Sequence, residues 1–177
     1  NNSNDFTIKP RIFLDNELIL QSEYREAFKN SDLIADFSIN RDDNTNTHLF
    51  ANLNGKFNDK IDYEAQVQNV TNDNYLKIYG IKDYTPLITN DSTLSSFLKI
   101  NNEIDENTDL KTTLTLYEDL SKKDNDRYQY IFPNFSFNKS IELDENYNGN
   151  FQFSSSGYQK LFDTNKYEAL INNDFNF

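Results

Sequence analysis

The chain has 177 residues, a formal net charge of −12, no Cys, one His, 15 Phe and 11 Tyr. The charge argues against nucleic acid and anionic membrane surfaces as partners, because both call for clustered Lys and Arg. The absence of Cys removes disulfides, thiolate metal sites and a Cys nucleophile, and the aromatic content argues against disorder.

No run of about 18 apolar residues occurs, so no transmembrane helix is expected. The chain starts Asn1-Asn2-Ser3 with neither Met nor an apolar signal segment, so it reads as an excerpt of a longer or processed protein. Its 28 Asn are spread along the whole length and interrupted by apolar residues, which argues against a prion-like tract. The Asn-x-Ser/Thr triplets at Asn69, Asn90, Asn134 and Asn138 carry little weight in so Asn-rich a chain.

In chain order, period-two alternation begins with Leu33, Ala35, Phe37 and Ile39. It recurs at Leu49, Ala51, Leu53, Gly55 and Phe57, then at Ile61, Tyr63, Ala65 and Val67 with Asp62, Glu64, Gln66 and Gln68 between them. Further alternation covers Leu110, Thr112, Leu114 and Leu116, then Tyr147, Gly149, Phe151 and Phe153. Strands with one apolar and one polar face follow. Only Tyr75-Leu76-Lys77-Ile78-Tyr79 and the start near Leu94 leave a helical reading open, so at most one short helical turn is expected.

The connections alternate in length. Links at 41–46, 71–93, 121–126 and 156–165 are long, whereas Asn58-Asp59, Asp105-Glu106-Asn107 and Asp144-Glu145-Asn146 are tight turns. The expected fold is all-β, an antiparallel up-and-down meander forming part of a transmembrane outer-membrane β-barrel, with Phe57, Tyr63, Tyr117, Tyr128, Tyr130 and Tyr147 near strand ends as an aromatic girdle. A soluble secreted β-sandwich that binds glycans through Tyr and Asn has the same alternation and stays open as an alternative.

Candidate sites are weighed against plainer readings. Asp144-x-Asn146-x-Asn148-Gly149 matches half of a calcium loop, but Ser155 stands where the bidentate Glu belongs, and a hairpin turn is the better reading. His48 has no second His and reads as a residue at a strand's loop edge. Carboxylates such as Asp42-Asp43, Glu103 with Asp105, and Glu118-Asp119 fall close together by composition alone, and Lys122-Lys123 reads as a solvated loop. No catalytic residue, metal or cofactor is expected. Around Pro133 the apolar phase slips, from Tyr128, Tyr130 and Phe132 to Phe135, Phe137, Ile141 and Leu143. A strand interruption is expected there.

Several stretches resemble the barrel region of the lipopolysaccharide-assembly outer-membrane protein LptD family, in its alphaproteobacterial form. They are Pro10-Arg11-Ile12-Phe13, Gln21-Ser22-Glu23-Tyr24-Arg25-Glu26-Ala27-Phe28, Val70-Thr71-Asn72-Asp73-Asn74-Tyr75-Leu76-Lys77-Ile78-Tyr79 and Tyr128-Gln129-Tyr130-Ile131-Phe132-Pro133-Asn134-Phe135. The likeness runs in matching order from Pro10 to Phe153. It implies a partial barrel domain over residues 1–177 in the outer membrane of a Gram-negative bacterium, without covalent chemistry. Implied partners are lipopolysaccharide, an LptE-like lipoprotein plug, an LptA-like periplasmic bridge, the barrel-assembly machinery and outer-membrane lipid. The family's N-terminal jelly-roll is absent from the chain, and the eight or nine expected strands are too few for its closed barrel. On this reading Asp62, Glu64, Gln66, Gln68, Lys111, Thr113, Asn148, Asn150 and Gln152 face the lumen, where they hydrate it and offer hydrogen bonds to sugar and phosphate groups.

Overall fold

Alternation along each segment becomes ladder pairing along the whole chain. The computed structural model describes residues 3–13, 17–41, 45–123, 126–143 and 149–177. Its strands are β1 (Ser3–Ile12), β2 (Leu18–Ala27), β3 (Ser31–Arg41), β4 (Thr45–Asn58), β5 (Ile61–Val70), β6 (Thr93–Asp105), β7 (Thr108–Asp119), β8 (Tyr128–Glu142), β9 (Asn150–Phe162) and β10 (Tyr167–Asn176). They form one sheet in sequence order, each antiparallel to the next. β1 and β10 are its two edges and do not pair with each other, so the sheet is not closed.

The meander is as the alternation predicts, but several details differ. β1 and β2 come in addition to the expected strands: Phe6, Ile8, Pro10 and Ile12 alternate with Asp5, Thr7, Lys9 and Arg11 in β1, whereas Ser22 and Glu26 break the apolar face of β2. β9 runs on to Phe162, so the expected long link at 156–165 shrinks to 163–166; the link at 41–46 shrinks to 42–44. The tight turn after β4 is Asp59-Lys60, closed by Asn58 Oδ1, which accepts from the N–H groups of Lys60 (2.8 Å) and Ile61 (2.9 Å). Asp105 does the same for Asn107 N–H at 2.9 Å.

Between β5 and β6 the segment 71–92 carries α1 (Tyr75–Ile78) and a 3-10 turn (Ile81–Tyr84), one helical element more than expected; Leu94 lies in β6. This insert folds back over the polar face of the sheet. Ile19, Phe50 and Val70 occupy polar-face positions of β2, β4 and β5, breaking the alternation. They join Tyr75, Leu76, Tyr79, Ile81, Ile88, Leu94 and Leu120 in the buried apolar cluster.

The opposite face is apolar and bare. Ile8, Leu20, Phe37, Leu49, Val67, Leu98, Leu114 and Ile171 run across it, each at least 37 % exposed. No second layer covers it among the described residues.

Candidate functional site: a plugged polar face

The sheet register sets the centre of the polar face. Ser38 of β3 lies opposite His48 of β4 and Gln21 of β2, and Asp36 is two residues back on the same face. Gln21 Nε2 donates to both Asp36 oxygens at 2.9 and 3.1 Å, and His48 Nε2 lies 2.6 Å from Asp36 Oδ1. His48 Nδ1 is 2.7 Å from Ser38 Oγ, which is 2.7 Å from the Tyr75 hydroxyl of α1. A carboxylate only accepts, so in the neutral imidazole Nε2 carries the proton and Nδ1 takes one from Ser38. The Ser38 oxygen then accepts from Tyr75. The chain of bonds thus has one direction, from the insert to the sheet. Burial pushes the Tyr75 phenol up in pKa, which keeps it a donor.

Asp36, His48 and Ser38 are the side-chain types of an acyl-transfer relay. Here Tyr75 caps the Ser38 oxygen and all of them are at most 2 % exposed, so no substrate reaches the hydroxyl. The network seats the insert. His48, expected at a loop edge, is fully buried and stacks on Phe50 with centroids 4.5 Å apart. Its place is explained by Asp36, which lies on the adjacent strand and is invisible to spacing along the chain.

Other polar groups tie down the insert's periphery. Arg11 donates to the Tyr79 carbonyl and stacks on the Tyr84 ring at 3.7 Å, while the Tyr79 hydroxyl donates to Glu17 at 2.7 Å. Pairing of β5 with β6 stops at Gln66 and Phe97. Beyond it the Gln68 side chain spans the gap, donating to the Leu87 carbonyl at 2.7 Å and accepting from Ser95 N–H at 2.8 Å. At the other side Arg127 grips Asp73 through both terminal nitrogens (3.0 and 2.6 Å) and Glu118 at 2.7 Å. That guanidinium holds the Asp73 carboxyl below its usual range, and the two carboxylates raise the pKa of Arg127.

The structure places Asp62, Glu64, Gln66 and Gln68 on the same face as the insert, toward β6. Lys99 Nζ donates to Glu64 at 2.8 Å, and Asn101 Nδ2 to Asp62 at 2.7 Å. Lys111 and Thr113 lie opposite Asn101 and Lys99 and share that face. Asn150 and Gln152 lie opposite Glu142 and Ser140. Asn148 and the calcium-like pattern at 144–148 lie outside the described residues, as does Asp42-Asp43. A cavity of about 600 Å³ at the tight-turn end is lined by Asp32, Asn54, Asp62, Glu64, Lys99 and Asn101, among others. Among the described residues no group of three or more His, Asp or Glu is placed to hold a metal ion.

At Pro133 the ladder slips on both sides. Thr113 faces Asn134 but Thr115 faces Ile131, and across β9 Lys160 faces Ile131 while Tyr158 faces Asn134. Two residues of β8 therefore stand against one, a β-bulge at the position where the apolar phase changes.

Spacing along the sequence did not single out Gln21, Asp36, Ser38, Tyr75 or Arg127. The available signal was the apolar residue set into an otherwise polar face at Ile19, Phe50 and Val70, which marks ground that another segment covers. No family model matches the chain, and no curated protein matches it in sequence.

Proposed function

We propose that the chain is a wall segment of an LptD-like outer-membrane β-barrel. Its apolar face meets hydrocarbon, and its polar face lines an aqueous interior through which lipopolysaccharide passes to the outer leaflet. The observation that carries this reading is the inversion of the sheet. Leu, Ile, Val and Phe are bare across the apolar face, while the buried cluster sits on the polar face beneath 71–92. In water such an apolar expanse is costly, whereas against lipid it is the ordinary arrangement of a barrel wall. All ten described strands have 10 or more residues, enough to cross a bilayer at a tilt.

On this reading the insert is an inward-folded loop that narrows the interior, and Lys99, Asn101, Lys111 and Thr113 belong to the part it leaves open. No covalent step is involved. An LptE-like lipoprotein, an LptA-like bridge and the barrel-assembly machinery are the partners that the resemblance proposes.

The test places a charge on the apolar face. Val67→Arg or Leu114→Arg should cost about 2–4 kcal/mol at mid-bilayer depth and impair insertion into lipid vesicles. Thr113→Arg, on the polar face, should insert normally. Unimpaired insertion of the first two variants, or a chain that stays dispersed in buffer without detergent, overturns the reading in favour of a soluble sheet.

A further inference from the structure

The ladder between β5 and β6 stops short of the strands' ends. Its register runs from Ile61 opposite Asn102 to Gln66 opposite Phe97, and the same register continued would pass through Gln68 and Ser95 to Val70 and Thr93. Val70 and Thr93 are where the two strands end, so every residue of the unpaired stretch has a partner waiting. Each strand keeps to its outer neighbour there. Thr71 N–H donates to Thr47 C=O at 3.0 Å, and Leu120 N–H to Ser92 C=O at 2.9 Å, so the sheet splays between β5 and β6 like a fork.

Side chains hold the fork open. Glu103 N–H donates to Lys60 C=O, a phase that makes Gln68 and Ser95 the next hydrogen-bonded pair of the ladder. All four backbone groups of that pair are taken by side chains instead. Ser95 C=O accepts from Gln66 Nε2 at 2.9 Å, and Ser95 N–H donates to Gln68 Oε1 at 2.8 Å. Gln68 N–H donates to Ser96 Oγ at 3.0 Å, and that hydroxyl donates to Gln68 C=O at 3.4 Å. The arrested pair leaves no backbone group unsatisfied, so the open fork is a stable arrangement and not a frayed end. Gln68 also couples it to the insert, because its Nε2 holds the Leu87 carbonyl at 2.7 Å. Val70 and Leu94, one from each strand, share the buried cluster with Ile88.

The insert's seat, by contrast, is imperfect. Arg11 Nη1, Gln21 Oε1 and both polar atoms of the Asn40 side chain are buried without a hydrogen-bond partner among the described residues. Asn40 is fully buried and lies opposite Ile19, under the insert. Each of these atoms disfavours the seated state, since lifting the insert hydrates it.

We infer that the β5–β6 fork is a two-state element that sets whether the insert is seated. With the insert down, the ladder is arrested at Gln66 and Phe97. With it lifted, Gln68 and Ser95 bond through their backbones, the ladder closes to Val70 and Thr93, and the polar face beneath 71–92 opens. The same backbone groups are satisfied in both states, by side chains in one and by the ladder in the other, which keeps the two close in free energy. The consequence rests on the wall-segment reading, in which lifting the insert widens the aqueous interior.

The chain has no Cys, so Val70→Cys with Thr93→Cys reports the closed ladder, in which a hydrogen-bonded pair brings Cα atoms to about 5.5 Å, within disulfide range. In detergent with mild oxidant the double variant should form an intramolecular disulfide and lose the protection of 71–92 against protease; reduction should restore it. Ser96→Ala strips the hydroxyl from both Gln68 backbone groups and should favour closure without any crosslink. Hydrogen exchange should then slow at Ser95 N–H while it quickens across 71–92, whereas a merely loosened insert quickens both. A disulfide that does not form, one that forms with 71–92 still protected, or exchange at Ser95 that fails to slow in Ser96→Ala overturns the inference. The arginine variants of the apolar face read insertion into vesicles, so failure of the fork and failure of the wall-segment reading are told apart.

Discussion

The Tyr75 hydroxyl reaches Ser38 Oγ at 2.7 Å, and through it the insert joins a hydrogen-bond chain that ends on Gln21 of β2. Tyr75 also contributes its ring to the buried cluster, T-shaped to Tyr79 at 5.1 Å. Tyr75→Phe should therefore cost about 1 kcal/mol, the worth of one buried hydrogen bond. Tyr75→Ala should cost about 3–5 kcal/mol, since it also opens a cavity. Urea unfolding with a fluorescence readout measures both. Equal costs would place the energy in the hydroxyl and not in the packing.

His48 and Asp36 form a buried pair with no access to water. Removing the imidazole leaves buried Asp36 with Gln21 as its remaining side-chain donor and takes the acceptor of the Ser38 hydroxyl away, so His48→Leu should destabilise by about 3–5 kcal/mol. The double variant His48→Leu with Asp36→Leu should recover only part of that loss, because it also takes the acceptors of Gln21 Nε2 and the Ser38 hydroxyl away. A double variant as unstable as the sum of the singles would show that the pair acts through packing alone.

Asp73 ties the start of the insert to Arg127. Its carboxyl is held below the ordinary value, so the bond contributes fully above that value and fades as pH falls through it toward the depressed one. Proteolytic protection of residues 71–92 should be flat near neutrality and decline below about pH 4, the ordinary Asp range. Asp73→Asn should lower protection at neutrality and remove the contribution of this bond to the acid decline. Asp73 is one-third exposed, so the effect is confined to the insert and leaves the sheet intact.

Period two made the sheet legible because each strand had only to declare two faces. Ile61 to Gln68 does so without exception, and its even residues meet Lys99 and Asn101. β2 is harder to see, since Ser22 and Glu26 fall on its apolar face and Ile19 on its polar one, while Lys9, Glu23 and Arg25 form an ion cluster on the polar face (3.0 and 2.6 Å) that only the β1–β2 register assembles. The insert's seat was hidden for a related reason. Asp36, Ser38 and His48 become a unit only through the β3–β4 register, and Tyr75 joins them from 37 residues beyond Ser38. Chain spacing carries that register only where the turn is defined to the residue, and the polar stretch from Arg41 to Asn46 leaves the β3–β4 register open.

Gly55 and Tyr63 are cross-strand partners, and the Tyr63 ring is tilted against Phe57 with centroids 4.4 Å apart. A Cβ at Gly55 would fall 2.5 Å from Ser31 Cβ, 2.7 Å from the Asn30 carbonyl and 2.9 Å from the Tyr63 hydroxyl. The tyrosine can swing aside, but the Asn30 carbonyl cannot, because it accepts Lys56 N–H at 2.8 Å and so pins the 28–30 turn. Gly55→Ala should therefore destabilise by about 1–3 kcal/mol through overpacking. Tyr63→Phe in the same background should not rescue it, whereas Ser31→Gly should recover part of the loss. Chemical unfolding midpoints of the three variants separate these outcomes. A rescue by Tyr63→Phe would mean that the aromatic ring, and not the turn backbone, sets the limit at this glycine.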